Sequence, residues 1–189
     1  MDNKLKIINY LGKHQGESFT MHELSKIIRI PYATFYRVIN DMKELVKMQT
    51  IGKSKVVSLN KENPVLKSYL TISSDEEKND YLKRQPIMRK IASGIDTKEV
   101  VILFGSYAKG NQRESSDIDL LIINNNGKKS LSFSKYEILF KKKINPLFFT
   151  RSEFVQMLKD KDENVGKQAL KDHIILNNPS RFWEGVLNG

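Results

Sequence analysis

The chain of 189 residues contains no cysteine. That absence excludes disulfides, thiolate metal sites and thiol catalysis, and it fits a reducing compartment. No apolar run approaches the roughly 20 residues that a membrane span needs. The opening, MDNKLKIINY, is too polar for a secretory signal peptide, so a cytoplasmic protein without membrane contact is expected. Acid is also in short supply: 22 Asp and Glu stand against 32 Lys and Arg, a formal net charge of +10. Such a surplus favours a polyanionic partner without identifying one. Residues 1–68 carry 12 basic and 6 acidic side chains, net +6, and residues 69–189 carry 20 and 16, net +4, so the excess is densest towards the N-terminus. A hydrophobic content of 39% suffices for one medium core or two small ones.

What is present begins with helical periodicity. Leu5, Ile8 and Leu11 recur on one face, and Gly12 and Gly16 mark the end of that helix. Thr20 and Glu23 have capping-box spacing and open a second helix, whose buried stripe is expected to be Leu24, Ile27 and Ile28. Pro31 interrupts it. Phe35, Val38, Ile39, Met42 and Leu45 then share a face of a third helix. The runs VKMQTI and KVVSLN, separated by GKS, predict a two-stranded hairpin with Lys53 and Lys55 at its tip.

This order of elements, over about residues 4–60, resembles a winged helix-turn-helix domain. The resemblance implies that the third helix enters a major groove of double-stranded DNA, offering Tyr32, Thr34, Tyr36, Arg37 and Asn40, while Lys53 and Lys55 touch phosphates. Winged helices also serve as protein-docking modules, and the basic excess weighs towards DNA. A connector carrying Pro64 follows, in which Ser73-Ser74-Asp75-Glu76-Glu77 is expected to cap a new helix running through Leu82, Ile87 and Ile91 to about Gly94.

The second half is dominated by LFGSYAKGNQRESSDIDLLI, Leu103 to Ile122. A strand over Glu99–Phe104 ends at Gly105-Ser106, SYAKG makes a short helical turn, and DIDLLII forms the next strand. Alternation along that strand puts Asp117 and Asp119 on the same side of the sheet, about 7 Å apart. Two like charges so close are costly unless a cation sits between them. Magnesium suits the position, because it takes a few carboxylates plus waters and phosphate oxygens. Glycine lets a phosphate approach the backbone, and serine at a helix start adds a hydroxyl.

Gly105-Ser106, ten intervening residues, then Asp117-Ile118-Asp119 between apolar runs resemble the signature of minimal nucleotidyltransferases of the DNA polymerase β superfamily. The resemblance implies a small domain with a mixed sheet flanked by helices. It implies that Gly105 and Ser106 hold a nucleoside triphosphate such as ATP, with Ser116 and Lys109 near the phosphates, and that Asp117 and Asp119 are catalytic ligands of magnesium or manganese. Arg113 is a further basic candidate in the same loop. Relatives of this type often work beside a small helical partner protein, and a homodimer is a further expectation.

The family's third carboxylate comes from a strand after the next helix and helps to activate the attacking hydroxyl. Here SKYEILFKKK is the expected helix, INPLFFT the expected strand, and Asn145 stands where the family has Asp. Asparagine cannot take a proton. Glu137 and Glu153 are substitutes by nearness in sequence, although each has a plain use on a helix surface. Pro146 suggests an edge or distorted strand. Lys141-Lys142-Lys143 is expected as a solvated helix end. The tail predicts two helices, a strand over His173–Leu176, and a closing amphipathic helix with Phe182, Trp183 and Val186. His14, His22 and His173 show no metal-ligand spacing.

The expectation is thus a mixed α+β protein: a winged-helix domain over 1–62, a helical connector over 63–95 and a nucleotidyltransferase domain over 96–189. Two functions stay open. One is a magnesium-dependent transferase moving a nucleoside monophosphate to an unknown acceptor. The other is a DNA-binding regulator or antitoxin-like protein whose transferase domain senses nucleotide without catalysis.

Overall fold

The computed structural model describes residues 1–188, and the chain divides into two units, Met1–Ser73 and Ser74–Gly189. The segment 63–95, expected as a separate connector, is shared between them.

In the first unit, α1 (Asn3–Lys13) is capped by Asp2, whose carboxylate accepts from the Leu5 backbone N–H at 2.8 Å, and it turns Leu5, Ile7, Ile8 and Leu11 inward. A two-residue strand, β1 (Phe19–Thr20), leads into α2 (Met21–Ile27). The capping box forms as the spacing predicts: Thr20 Oγ1 accepts from the Glu23 N–H, and the Glu23 carboxylate accepts from the Thr20 N–H. The expected stripe needs correction. Leu24 is buried, but Ile27 is 46% exposed and Ile28 only half-buried. The helix stops at Ile27 and Arg29 turns the chain at φ 56°, so Ile30 takes the inward place.

The third helix, α3 (Tyr32–Asp41), buries Phe35 and Ile39 and ends before the predicted Leu45; Met42 and Leu45 are buried from the turn that follows. The hairpin of β2 (Val46–Ile51) and β3 (Ser54–Leu59) closes through Gly52 and Lys53. Gly52 has φ +60°, a conformation that two-residue hairpin turns require and that suits glycine. The antiparallel sheet has the order β1-β3-β2. β1 is too short for an alternation to be readable in sequence.

One helix, α4 (Leu66–Arg84), carries the chain from the first unit into the second. The serine and acidic segment expected to cap a helix lies inside it. Both serines are buried and satisfied without ending the helix: Ser73 Oγ donates to the Leu70 carbonyl at 2.9 Å, and Ser74 Oγ accepts from Trp183 Nε1 at 2.8 Å. The new helix is α5 (Pro86–Ala92), which begins with proline in its first turn, where a missing N–H costs nothing.

The second unit continues with β4 (Val100–Phe104), α6 (Gly105–Lys109), β5 (Ile118–Asn124), α7 (Ser134–Phe140) and β6 (Ile144–Thr150). It closes with α8 (Arg151–Lys159), α9 (Val165–Lys171), β7 (Ile174–Asn177) and α10 (Pro179–Leu187). The sheet order is β6-β5-β4-β7; β5 and β6 are parallel, joined over α7, and the other pairs are antiparallel. β4 is buried along its whole length and β5 nearly so, which is why β4 and the stretch of β5 after Asp119 read as apolar runs. Pro146 lies in β6, at an edge of the sheet, where a lost ladder donor is tolerated. The last strand begins one residue later than expected, with His173 buried before it and its Nδ1 2.7 Å from the Leu170 carbonyl. Phe182 and Trp183 are buried on α10 as its periodicity predicts. Among the described residues no helix is long and apolar enough to cross a membrane.

Candidate functional site

Strand register brings the acidic pair together with its neighbours. Phe104, the last residue of β4, lies opposite Asp119, whose other strand neighbour is Asn145 of β6. The turn Gly105-Ser106 starts directly after Phe104, and Asp117 immediately precedes β5. The ends of β4, β5 and β6 therefore deliver four functional groups to one end of the sheet.

Gly105 has φ +70°, and a Cβ there would sit 2.6 Å from Asp119 Oδ2. Any side chain would collide with the carboxylate, so glycine is required both by conformation and by space. Gly105 and Ser106 are half-buried, as are Asp117 and Asp119. The α6 turn is held by Tyr81, a buried residue of α4 whose hydroxyl donates to the Tyr107 carbonyl at 3.0 Å. Burial pushes the Tyr81 phenol above its ordinary range, with Tyr107 adding to the shift, so it remains a neutral donor. This contact spans 26 residues and has no local signal in the sequence.

Asn145 bridges the acidic pair. Its Nδ2 donates to Asp117 Oδ2 and to Asp119 Oδ1, both at 3.2 Å. Lys143 Nζ stands 3.6 Å from Asp117 Oδ2, and Lys142 Nζ donates to the Glu114 carbonyl. The lysine run expected as a solvated helix end therefore follows α7 and reaches back to the acidic loop. Neither substitute carboxylate joins the site. Glu137 Oε1 accepts from the Ile144 N–H at 2.9 Å, fixing the start of β6, and Glu153 caps α8 in a box with Thr150. Among the described residues no group of three or more His, Asp or Glu is placed to hold a metal ion.

The other expected phosphate contacts are partly occupied. Lys109 Nζ lies 3.3 Å from Asp172, and Ser116 Oγ accepts from the Arg113 N–H at 2.8 Å, closing the loop before Asp117. Arg113 is exposed in that loop.

Residues 88–181 match the family described as Polymerase beta, Nucleotidyltransferase. The match supports the nucleotidyltransferase superfamily as the home of the second unit, and its mixed sheet with flanking helices fits a polymerase-β-like domain. Comparison with curated proteins and with solved structures returned no match.

In the first unit the residues expected on the outer face of α3 do lie together. Tyr32 and Tyr36 are 46% and 42% exposed with ring centroids 6.5 Å apart, Arg37 is exposed, and Thr34 and Asn40 are half-buried. Asn40 Nδ2 donates to the Tyr36 carbonyl at 3.0 Å. Lys53 occupies the hairpin turn, whereas Lys55 stands in β3 with its Nζ 6.0 Å from the Tyr36 ring centroid. His22, to which the sequence assigned no role, packs edge-on against Tyr32 at 5.7 Å.

Proposed function

We propose that this nucleotidyltransferase-like protein binds a nucleoside triphosphate with a single magnesium or manganese ion and turns it over poorly or not at all. We propose also that its first unit is a winged helix-turn-helix that binds double-stranded DNA. The observation that carries the first half is Asn145, in register beside Asp119 and bonded to both carboxylates.

Asp117 and Asp119 would hold the ion. The two carboxylates are hard oxygen ligands of the kind such an ion takes; the Asn145 amide presents its nitrogen to them and would have to turn over to offer its oxygen. Gly105, at φ +70°, presents backbone without a side chain at the start of α6, where a phosphate would meet N–H groups rather than a Cβ. An ion there would neutralise phosphate charge. Two carboxylates and Lys143 sum to a formal charge of −1, which suits one divalent cation rather than two. Asn145 accepts no proton, so the chain supplies no base from the β6 position to the acceptor hydroxyl. Glu137 and Glu153 are committed to backbone N–H groups.

For the first unit, the element order and the exposed Tyr32, Tyr36 and Arg37 beside Lys53 and Lys55 support the DNA reading. Nucleotide occupancy would then regulate a DNA-bound protein. The transferase reading keeps one observation in its favour: the Gly105-Ser106 turn and the acidic pair are intact within a matching family domain.

One experiment separates the two. Bound Mn²⁺ is counted by electron paramagnetic resonance with a non-hydrolysable ATP analogue, and labelled ATP, GTP, CTP and UTP are tested for transfer to the protein or to lysate. One ion per chain and no transfer by wild type, with transfer gained in Asn145→Asp, is the expected result. Transfer by the wild type overturns the sensor reading, and absence of any metal-nucleotide binding overturns both.

A further inference from the structure

At the other end of the same sheet lies a groove that the nucleotide reading does not use. It runs between α8 and α10, over the first residue of β4 and the last residues of β5 and β6, and encloses about 580 Å³. That volume is within the roughly 300–1000 Å³ typical of small-molecule sites. Asn124, which lines it, stands five residues along β5 from Asp119, roughly 17 Å at strand rise. A small ligand here cannot also touch the acidic pair.

The lining has two characters. Val100, Ile123, Phe154 and Phe182 give it an apolar base, the two phenyl rings 5.7 Å apart. Its charged members are Arg151, Lys159 and Arg181, with no Asp or Glu among the lining residues. Spacing explains the convergence: α8 presents Arg151, Val155 and Lys159 at intervals of four, and α10 presents Arg181 and Gly185 four apart, with its C-cap Asn188 three further on.

These cations are not equally engaged. Arg151 is paired with Glu184, donating to its carboxylate at 3.2 Å and its carbonyl at 3.1 Å. Arg181 touches no carboxylate among the described residues; it donates through Nη2 to Asn125 Oδ1 at 3.0 Å and keeps further donors. The Lys159 ammonium has no hydrogen-bond or ion-pair partner among the described residues. The neutral polar groups of the base, in contrast, are committed: the Asn124 carboxamide holds the turn at Asn126, Gly127 and Lys128, and Thr150 caps α8. The groove thus pairs a satisfied apolar base with two uncompensated cations on opposite walls.

We propose that this groove is a second ligand site, for a small organic anion with a flat apolar body. The acidic group is held between Arg181 and Lys159, and the ring lies against the β4 and β5 ends. Planar, multi-donor guanidinium recognition suits a carboxylate, sulfonate or phosphate equally, so the body of the ligand, not the acid alone, provides selectivity.

The test uses the full chain and two probes of one shape, naphthalene-2-sulfonate and the uncharged 2-naphthalenemethanol, titrated by calorimetry. Saturable one-to-one binding of the sulfonate, at least tenfold tighter than the alcohol, is expected. The surface variant Arg181→Glu with Lys159→Glu should weaken the sulfonate at least tenfold with an unchanged melting temperature. Asp117→Ala should leave it unaltered. Absence of saturable sulfonate binding, equal affinity for the two probes, indifference to the charge reversal, or loss on Asp117→Ala overturns the proposal.

Discussion

The two units present chemistry in opposite ways. In the second, the site gathers at the end of a sheet whose two central strands are buried along nearly their whole length, so positions are consequences of packing and register: Asp119 stands between Phe104 of β4 and Asn145 of the edge strand β6. In the first, Tyr32, Tyr36 and Arg37 lie on the outer face of α3, and the core needs only Phe35 and Ile39 behind them. The difference is one of constraint. A crowded, half-buried end of a sheet tolerates few substitutions because each group there is held by its strand neighbours, whereas an exposed helix face can change without disturbing the fold.

The sharpest way to break that comparison is to disable one surface and read the other. Asp117→Ala with Asp119→Ala should reduce metal-nucleotide affinity at least a hundredfold by calorimetry, while double-stranded DNA binding by gel shift stays within twofold. A parallel loss of both would mean that the variant has lost its fold, which circular dichroism would report. Next comes Asn145→Asp. A third carboxylate takes the site's formal charge from −1 to −2, and a count of two bound Mn²⁺ per chain with nucleotide is expected in place of one. An unchanged count would show that Asn145 does not set the stoichiometry. On the first unit, Arg37→Glu with Lys53→Glu should weaken DNA binding at least tenfold. It should lower the slope of log affinity against log salt by about 0.9 for each phosphate contact removed. An unaltered salt slope would remove phosphate contact from the account.

The same contrast governs what could be read in the sequence. The motif of the second unit was legible because its parts lie within 15 residues and each has one use: glycine for a crowded turn, alternating aspartates on one side of a strand. Asn145 could be placed because the resemblance implies a carboxylate on the strand after the next helix, but its two hydrogen bonds could not, nor could Lys143 beside Asp117. Tyr81 was invisible, since its partner is a backbone carbonyl in another element. In the connector, local reading failed for a specific reason. Ser73 and Ser74 look like caps, yet a serine bonded to its own helix, and one receiving the indole of Trp183 from 109 residues away, can both sit inside a helix. Ile27 failed likewise, because periodicity does not announce where a helix stops.

Smaller effects test the support of each surface. Tyr81→Phe removes a hydroxyl from a buried pair and leaves the Tyr107 carbonyl without that donor. A loss of about 1 kcal/mol in unfolding free energy is expected, measured by urea denaturation, together with a few-fold weaker metal-nucleotide binding because the α6 turn is less firmly held. A stability loss with unchanged nucleotide affinity would make Tyr81 a core residue only.

The smallest expected effect bears on a device that both units use. Thr20–Glu23 at the start of α2 and Thr150–Glu153 at the start of α8 are the same capping box. In each, the carboxyl is held below its ordinary value of 4.5, first by the backbone N–H of the threonine and then by its hydroxyl. A group whose pKa is depressed by folding stabilises the fold above its unfolded value and loses that contribution as pH falls through the folded one. Both boxes should therefore weaken below pH 4.5, and the carboxyl carbon shifts of Glu23 and Glu153 should titrate with midpoints under that value. Glu23→Gln and Glu153→Gln keep the reciprocal hydrogen bond but not the charge, so each should differ slightly from wild type in melting temperature at pH 7 and converge with it in acid. If the two boxes titrate alike, the units differ in where they carry chemistry and not in how they start their helices; a normal midpoint at either one would show that its box opens in solution.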